Sequence, residues 1–331
     1  MEIPDIDTDM IFEKIEKIRT EIKKRIKGYP KEIDLSLVAV ASFGHVLYTG
    51  YPGLAKSLLV RTIAEVSGCT FKRIQLTPDL TPSDIRGSEI WNPQNQNFQI
   101  HKGPIFTNIV VADEINRGTP RVQSAFLDAM EERVITIGTE TIALPKPFMV
   151  FATRNPIEQE GVFPLPEAQL DRFLFEITFP YPEEEDEIAI ARQGNGPMPK
   201  VDTKIWNAQG LIDLEIFRAK NVHVDEEIYK YIVKIVRTTR SYNPNLIALG
   251  ASPRASKMFV VASKAHALIV RKDTKVIPDD VDALAEYILK PRLIMNEMNW
   301  NGTENDWKQL VEDIKTEARD RHVASRKNSF S

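Results

Sequence analysis

A lysine and a serine side by side behind a glycine-bearing turn can hold phosphate and a divalent cation. The segment Gly50-Tyr51-Pro52-Gly53-Leu54-Ala55-Lys56-Ser57-Leu58 has that arrangement. It follows the apolar run Val46–Thr49 and opens a helical stretch through Leu58, Leu59, Ile63 and Ala64 to Gly68, so strand, loop and helix come in the required order. Backbone N–H groups of such a loop and the helix N-terminus cradle phosphate oxygens, Lys56 neutralises β/γ charge, and the Ser57 hydroxyl ligates Mg²⁺. By itself the segment would serve equally as a tight turn capping a helix. Ala55 stands where a second glycine is usual in the general pattern.

Ile109-Val110-Val111-Ala112 is an apolar strand that ends in two acids, Asp113 and Glu114. A buried strand seldom ends so without a reason. Behind Lys56-Ser57, Asp113 would hold Mg²⁺ through water and Glu114 would polarise the attacking water. A third run, Phe148–Thr153, ends at Arg154-Asn155-Pro156. Asn155 would reach the γ-phosphate and the attacking water if this strand lies beside the Asp113 strand; otherwise Asn-Pro is a turn signal. Leu170-Asp171-Arg172-Phe173 closes a predicted helix, and Ser252-Pro253-Arg254 opens one, with Ser252 as N-cap and Pro253 at the first helical position. Each arginine alone suits a surface salt bridge.

The elements that must position these residues follow from hydrophobic spacing. From about Met10 to Lys27, Ile11, Ile15, Ile18, Ile22 and Ile26 recur at three and four residues, an amphipathic helix ended by Gly28-Tyr29-Pro30 that would pack on its own core or on a neighbouring subunit. From Asp34 onward short apolar strands, Val46–Thr49, Phe71–Leu76, Ile109–Ala112 and Phe148–Thr153, alternate with helical stretches, as in a parallel sheet covered by helices. Two short strand pairs interrupt the rhythm, Glu89–Trp91 with Phe98–Ile100 and Val134–Ile137 with Thr141–Leu144 about Gly138. After Phe179-Pro180-Tyr181-Pro182 helical patterns take over, with Ile228, Tyr231, Ile232, Ile235 and Val236 on one face and another helix at Pro278–Leu289. The acids Glu183–Glu187 suit the first turn of a helix. The domain boundary is expected in Gly194–Lys200, giving an N-terminal helix (1–30), an α/β core (31–193) and a helical C-terminal domain (201–331). The polar tail from about Arg319 is expected to fray.

These motifs in this order resemble the AAA+ superfamily, and within it the MoxR family of the helix-two-insert group. The segments that carry the resemblance are GYPGLAKS, DLTPSDIRGSEIW, GPIFTNIVVADEINRGTPRVQSAFLDAMEERVITIG and FATRNPIEQEGVFPLPEAQLDRFLF, within about Asp34 to Pro180. The phrases DEINR and NPIEQEG are more specific than either Walker motif, and the family's P-loop ordinarily carries alanine before the lysine. Arg154 departs from the glutamine the family more often has. The resemblance implies an α/β fold, a P-loop AAA+ core with a parallel sheet flanked by helices, followed by a smaller all-α lid. It makes Gly50 to Ser57 Walker A, Asp113 and Glu114 Walker B, Asn155 sensor 1, Arg172 the arginine finger and Arg254, within ASPRAS, sensor 2 on the lid. The two interruptions become the helix-two insert and the presensor hairpin. The implied cofactors are ATP and Mg²⁺. An arginine finger supplied in trans contributes ~10³–10⁵ in rate and makes each site a joint product of two subunits. A ring, hexameric by resemblance, is therefore expected, remodelling a client protein and working with a partner that carries a von Willebrand factor A domain.

Composition bounds the alternatives. With 42% hydrophobic and 27% charged residues in 331, the chain suits a globular protein of two domains. The N-terminus lacks a signal-peptide pattern, and no stretch approaches the ~18 apolar residues of a membrane span, so a cytoplasmic protein is expected. One cysteine, Cys69, excludes an internal disulfide and is expected in the core, and five scattered histidines give no zinc-site spacing. A net charge of −4 lacks the footprint of a nucleic-acid binder. The nearest alternative is the magnesium chelatase ATPase subunit, which shares the inserts and also works with such a partner. A nucleic-acid motor would need cations on the presensor hairpin, and Ile135–Glu140 carries no Lys or Arg. A scaffold that hydrolyses little would not need Lys56, Asp113, Glu114 and Asn155 together.

Overall fold

The computed structural model describes residues 8–156, 161–194, 196–203, 205–296 and 298–327; Ile157 to Glu160 of the NPIEQEG phrase lie outside the described residues. The chain forms two compact units, Met1–Pro166 with Ile177–Glu215, and Glu167–Glu176 with Ile216–Ser331. In chain order the elements are α1 (Thr8–Arg25), α2 (Pro30–Ala41), β1 (Val46–Thr49), α3 (Lys56–Val66), β2 (Phe71–Gln75), α4 (Pro82–Arg86), β3 (Gly87–Asn92), β4 (Asn97–Lys102), β5 (Ile109–Asp113), α5 (Pro120–Glu132), β6 (Val134–Ile137), β7 (Glu140–Ala143) and β8 (Met149–Arg154). They continue with α6 (Glu167–Leu170), β9 (Phe175–Thr178), α7 (Glu184–Gln193), α8 (Ala208–Asn221), α9 (Glu226–Ser241), β10 (Ile247–Leu249), α10 (Pro253–His266), α11 (Pro278–Leu289), β11 (Ile294–Met295) and α12 (Glu304–Lys327).

In the first unit the sheet runs β2-β5-β8-β1-β9, and the neighbours β2–β5, β5–β8 and β8–β1 are parallel. Strands β1 and β5 are wholly buried, and so is β8 up to Thr153, which is why their sequences are unbroken apolar runs rather than alternating ones. Strand β2, at the edge, exposes Lys72 and Arg73. Helix α1 buries Ile11, Ile15, Ile18 and Ile22 and packs against α3 of its own unit. The two interruptions are antiparallel hairpins, β3–β4 and β6–β7. At the base of the first, Gly87 has φ 96°, and a Cβ there would lie 2.0 Å from the His101 carbonyl oxygen, so only glycine allows the chain to close.

The first unit extends to Glu215, beyond the expected boundary at Gly194–Lys200, because the intervening segment is tied to α1. Arg25 Nε donates to the Pro199 carbonyl at 2.7 Å, the Asp202 amide donates to Glu21 Oε2 at 2.9 Å, and Lys14 Nζ sits 5.8 Å from the Trp206 ring. Cys69, expected in the core, is only half-buried, with its thiol pushed up to about 12 by desolvation.

In the second unit α9, α10, α11 and α12 pack together, with one short antiparallel pair, β10–β11. Ser252 caps α10 as expected, its hydroxyl accepting from the Arg254 amide at 3.2 Å. Helix α12 runs on to Lys327, where fraying from Arg319 was expected. Trp307, Leu310, Val311, Ile314 and Ala318 anchor it on one buried face. No helix among the described residues is long and apolar enough to cross a membrane.

Candidate active site

Because β1, β5 and β8 run parallel, their C-terminal ends open on one edge of the sheet, and the functional residues occupy the turns that leave them. After Thr49 the chain loops to α3, which begins at Lys56. Within the loop Gly53 has φ 85°, and Ala55 has φ 55° and ψ 15°, so the alanine itself adopts the left-handed conformation for which glycine is usual. Lys56 Nζ donates to the carbonyls of Gly50 at 2.5 Å and Tyr51 at 2.7 Å, and partial burial lowers its pKa against the pull of Asp113 and Glu114. Tyr51 stacks on Tyr181, ring centroids 5.1 Å apart.

A cavity of about 340 Å³ collects these groups, lined by Gly50, Pro52 to Leu58, Arg73, Asp113, Glu114, Thr153, Arg154 and Asn155. The acids, the P-loop lysine and serine, and the asparagine named by the third strand are thus brought together. Asp113 is nearly buried at the end of β5 and receives the Ser57 hydroxyl at 3.3 Å, the Thr153 hydroxyl, and Arg73 Nε at 2.7 Å. Glu114 leaves the strand with φ 55° and ψ 53°; its amide donates to Thr153 Oγ1 at 2.9 Å and its carboxylate lies 3.4 Å from Arg117 Nη1. One hydroxyl, Thr153, therefore fixes both acids. Arg154, the departure from the family pattern, donates from Nε to Thr49 Oγ1 at 2.9 Å and ties β8 to β1.

Thr153 and Arg73 were not singled out from sequence. A polar residue inside the apolar β8 run was the available sign for Thr153, and the strand pairing supplies one for Arg73. Gln75 pairs with Asp113, and Arg73 shares Gln75's face at the two-residue period. A second cavity, of about 350 Å³, shares Gly53, Leu54, Ala55 and Leu58 with the loop and is closed by Arg25, Tyr29, Pro182, Ile190 and Met198. Gly194, Gly196 and Met198, expected as linker, line it too.

Arg172 and Arg254 belong to the second unit. The Arg172 amide closes α6 by donating to the Gln169 carbonyl at 3.2 Å. Its neighbour Asp171 accepts the Ser252 hydroxyl at 3.1 Å and faces Arg254 Nη1 at 3.7 Å and Arg292 Nε at 3.1 Å. Arg292, absent from the sequence-based set, is fully buried. It also donates to the carbonyls of Asp171, Leu174, Phe173 and Ile288, and burial pulls its pKa down to about 10, so it stays charged at neutral pH.

A P-loop after β1, an acid-terminated strand two places along the sheet and an asparagine at the end of the strand between them, joined to a helical second unit, define an ATPase core with an AAA+ lid. Family models agree: residues 45–175 match the ATPase family associated with various cellular activities, and residues 241–314 match the AAA lid domain. The chain is 43% identical to Chaperone MoxR1 of Mycobacterium tuberculosis over 85% of this chain and 76% of that one. It is 44% identical to YeaC of Bacillus subtilis over 79% of this chain and 81% of that one. A crystal structure of a candidate ATPase from Cytophaga hutchinsonii superposes with a TM-score of 0.85 at 37% identity, covering 93% of this chain and 94% of the other. The chain belongs to the MoxR family of AAA+ ATPases and is an ATP-hydrolysing enzyme.

Proposed function

We propose that the protein is a Mg²⁺-dependent ATPase that works as a ring, hexameric by family resemblance, and uses ATP turnover to remodel partner proteins in the cytoplasm. The observation that carries this is the convergence of Lys56, Ser57, Asp113, Glu114 and Asn155 on one cavity. The donor set fits the cation: the Ser57 hydroxyl and the Asp113 carboxylate lie 3.3 Å apart, and such oxygen donors, completed by phosphate oxygens, suit Mg²⁺. Bound there, Mg²⁺ would neutralise charge on the β- and γ-phosphate oxygens. Ser57 and Asp113 would hold it, Lys56 would meet the phosphates, and Gly50 to Leu58 would wrap them. Glu114 would orient and take the proton of the attacking water, and Asn155 would position that water against the γ-phosphate. The cavity beside the loop, of about 350 Å³, is of a size to take the base. Arg172 would act as the finger toward a neighbouring subunit and Arg254 as sensor 2 on the lid.

A protein client rather than nucleic acid is favoured by the hairpin β6–β7, which has no Lys or Arg, and by exposed Ile90, Trp91 and Phe98 on hairpin β3–β4. A von Willebrand factor A protein is the expected co-worker. The test is a pair of variants. Lys56→Ala should abolish tight ATP binding, and Glu114→Gln should keep binding and lose hydrolysis, read by equilibrium binding and steady-state phosphate release. Parental turnover in Glu114→Gln would refute the assignment of Asp113-Glu114. The same variant, held with ATP, is the bait for capturing client and partner. A chelation assay with cognate subunits separates this function from a magnesium chelatase's.

A further inference from the structure

Asp113 is the carboxylate assigned to the cation, yet one of its oxygens is already claimed by a positive charge. Arg73 reaches in from the edge strand β2 and places two nitrogens on Oδ2, Nε at 2.7 Å and Nη2 at 2.6 Å, the same oxygen that receives the Ser57 hydroxyl at 3.3 Å. A cation held between Ser57 and Asp113, whether directly or through a bound water, therefore meets Arg73 at that oxygen. The pair is not an ordinary surface salt bridge. Exposed pairs contribute little because both partners are solvated, and here the guanidinium side chain is 56% exposed but the carboxylate only 12%. Gln75 Oε1 accepts from Arg73 Nη2 at 3.0 Å, which gives the guanidinium a second acceptor when Asp113 is engaged elsewhere. Arg73 also lines the phosphate cavity with Lys56, so a guanidinium displaced from Asp113 remains within a site built for anions.

We infer that Arg73 is an exchangeable counter-ion of the nucleotide site. It occupies Asp113 Oδ2 before the cation arrives, and gives that oxygen up when the cation binds with nucleotide, its charge then facing phosphate. This rests on the assignment of the cavity to Mg²⁺-ATP, and it adds a residue whose effect has opposite signs on the two ligands. Arg73 opposes a divalent cation in the nucleotide-free protein, because it fills the cation's ligand. It favours ATP when no metal is present, because it is a cation beside the phosphates.

The experiment measures both ligands on the full-length chain. Mn²⁺ alone is titrated into nucleotide-free protein and followed by electron paramagnetic resonance, and a fluorescent ATP analogue is titrated in EDTA. Arg73→Gln should bind Mn²⁺ at least about threefold more tightly than the parent and bind the analogue in EDTA roughly tenfold more weakly, the size of one charge-assisted hydrogen bond. Arg73→Lys, which keeps the charge and loses the two-nitrogen grip, should retain the parental affinity for the analogue to within about threefold. If Arg73→Gln weakens both ligands, the residue merely supports the fold of the site; if neither changes, it is a surface ion pair. Either result overturns the exchange. Failure of the parent to bind the analogue with or without Mg²⁺ would instead overturn the ATP assignment itself, and the exchange with it.

Discussion

Thr153 holds both acids with one hydroxyl, donating to Asp113 and accepting from the Glu114 amide, and that geometry turns Glu114 into a left-handed backbone conformation at φ 55°. Non-glycine residues avoid this region because Cβ crowds the carbonyl, at a cost of about 1–2 kcal/mol, and such strain gathers where function demands a particular aim for a side chain. The strain predicts a reversal of the usual order of substitutions. In a helix alanine is more stable than glycine, but at position 114 Glu114→Gly should be more stable than Glu114→Ala by about 1 kcal/mol, because glycine enters the left-handed region freely. Denaturant midpoints of the two proteins measure the difference, while both should lose turnover. Equal stability, or alanine the more stable, would mean that the backbone at Glu114 relaxes. The presence of Lys56, Ser57, Asp113, Glu114 and Asn155 was legible in the sequence because the acids and the asparagine follow apolar runs and Lys56-Ser57 closes a glycine-bearing loop that follows another. The contacts of Thr153 and Arg73 were not, because a hydroxyl inside a strand and a cation on an edge strand acquire their partners only when β8 and β2 flank β5.

Among the elements, strands and helices with strong periodicity were legible nearly to the residue: β1 spans Val46–Thr49 and α11 spans Pro278–Leu289, as their apolar patterns and flanking glycine or proline required. What periodicity could not reveal is where a segment with little pattern attaches. Residues 194–200 read as the domain boundary because their glycine- and proline-rich sequence has no period, yet Pro199, and Asp202 and Trp206 just beyond it, are fastened by Arg25, Glu21 and Lys14 of α1. The short segment Glu167–Glu176 is the second case, since it packs with the second unit and is held there by Arg292. Arg292 satisfies several carbonyls and Asp171 from a buried position, so removing the guanidinium leaves a buried carboxylate short of a partner and several carbonyls without donors. Arg292→Met should therefore destabilise the second unit by about 3 kcal/mol. Arg292→Lys keeps the charge without the fork and should fold, but it should lower kcat with little change in KM for ATP, because the segment that carries Arg172 is less firmly placed. Thermal melting and steady-state kinetics of the two proteins check this, and an Arg292→Lys enzyme with parental kcat would confine Arg292 to a structural role.

At the scale of the whole molecule, the phosphate cavity is furnished wholly by the first unit, while Arg172 and Arg254 stand on the second. A P-loop site that uses an arginine from a neighbouring chain gives assembly a catalytic meaning, because a developing negative charge on the transferred phosphoryl is met by a group the isolated subunit does not supply. If Arg172 is that group, Arg172→Ala should bind ATP like the parent and lose turnover by about 10³-fold or more, the usual worth of such a finger. Lys56→Ala, defective in the P-loop, should also be inactive, and for an independent reason. The two inactive proteins then differ in which half of a shared site is damaged. Mixed at equal concentration with ATP and Mg²⁺, they should form assemblies in which some sites join an intact P-loop from one chain to an intact arginine from the next, and hydrolysis should reappear. Subunit exchange is verified in the same experiment by energy transfer between chains labelled separately, and light scattering behind a sizing column reports whether nucleotide promotes the assembly. Recovered turnover rising with the fraction of mixed assemblies is the expected result. No recovery in assemblies proven to be mixed would assign Arg172 to a contact within its own chain, since a damaged internal salt bridge cannot be repaired by a neighbour that carries an intact one.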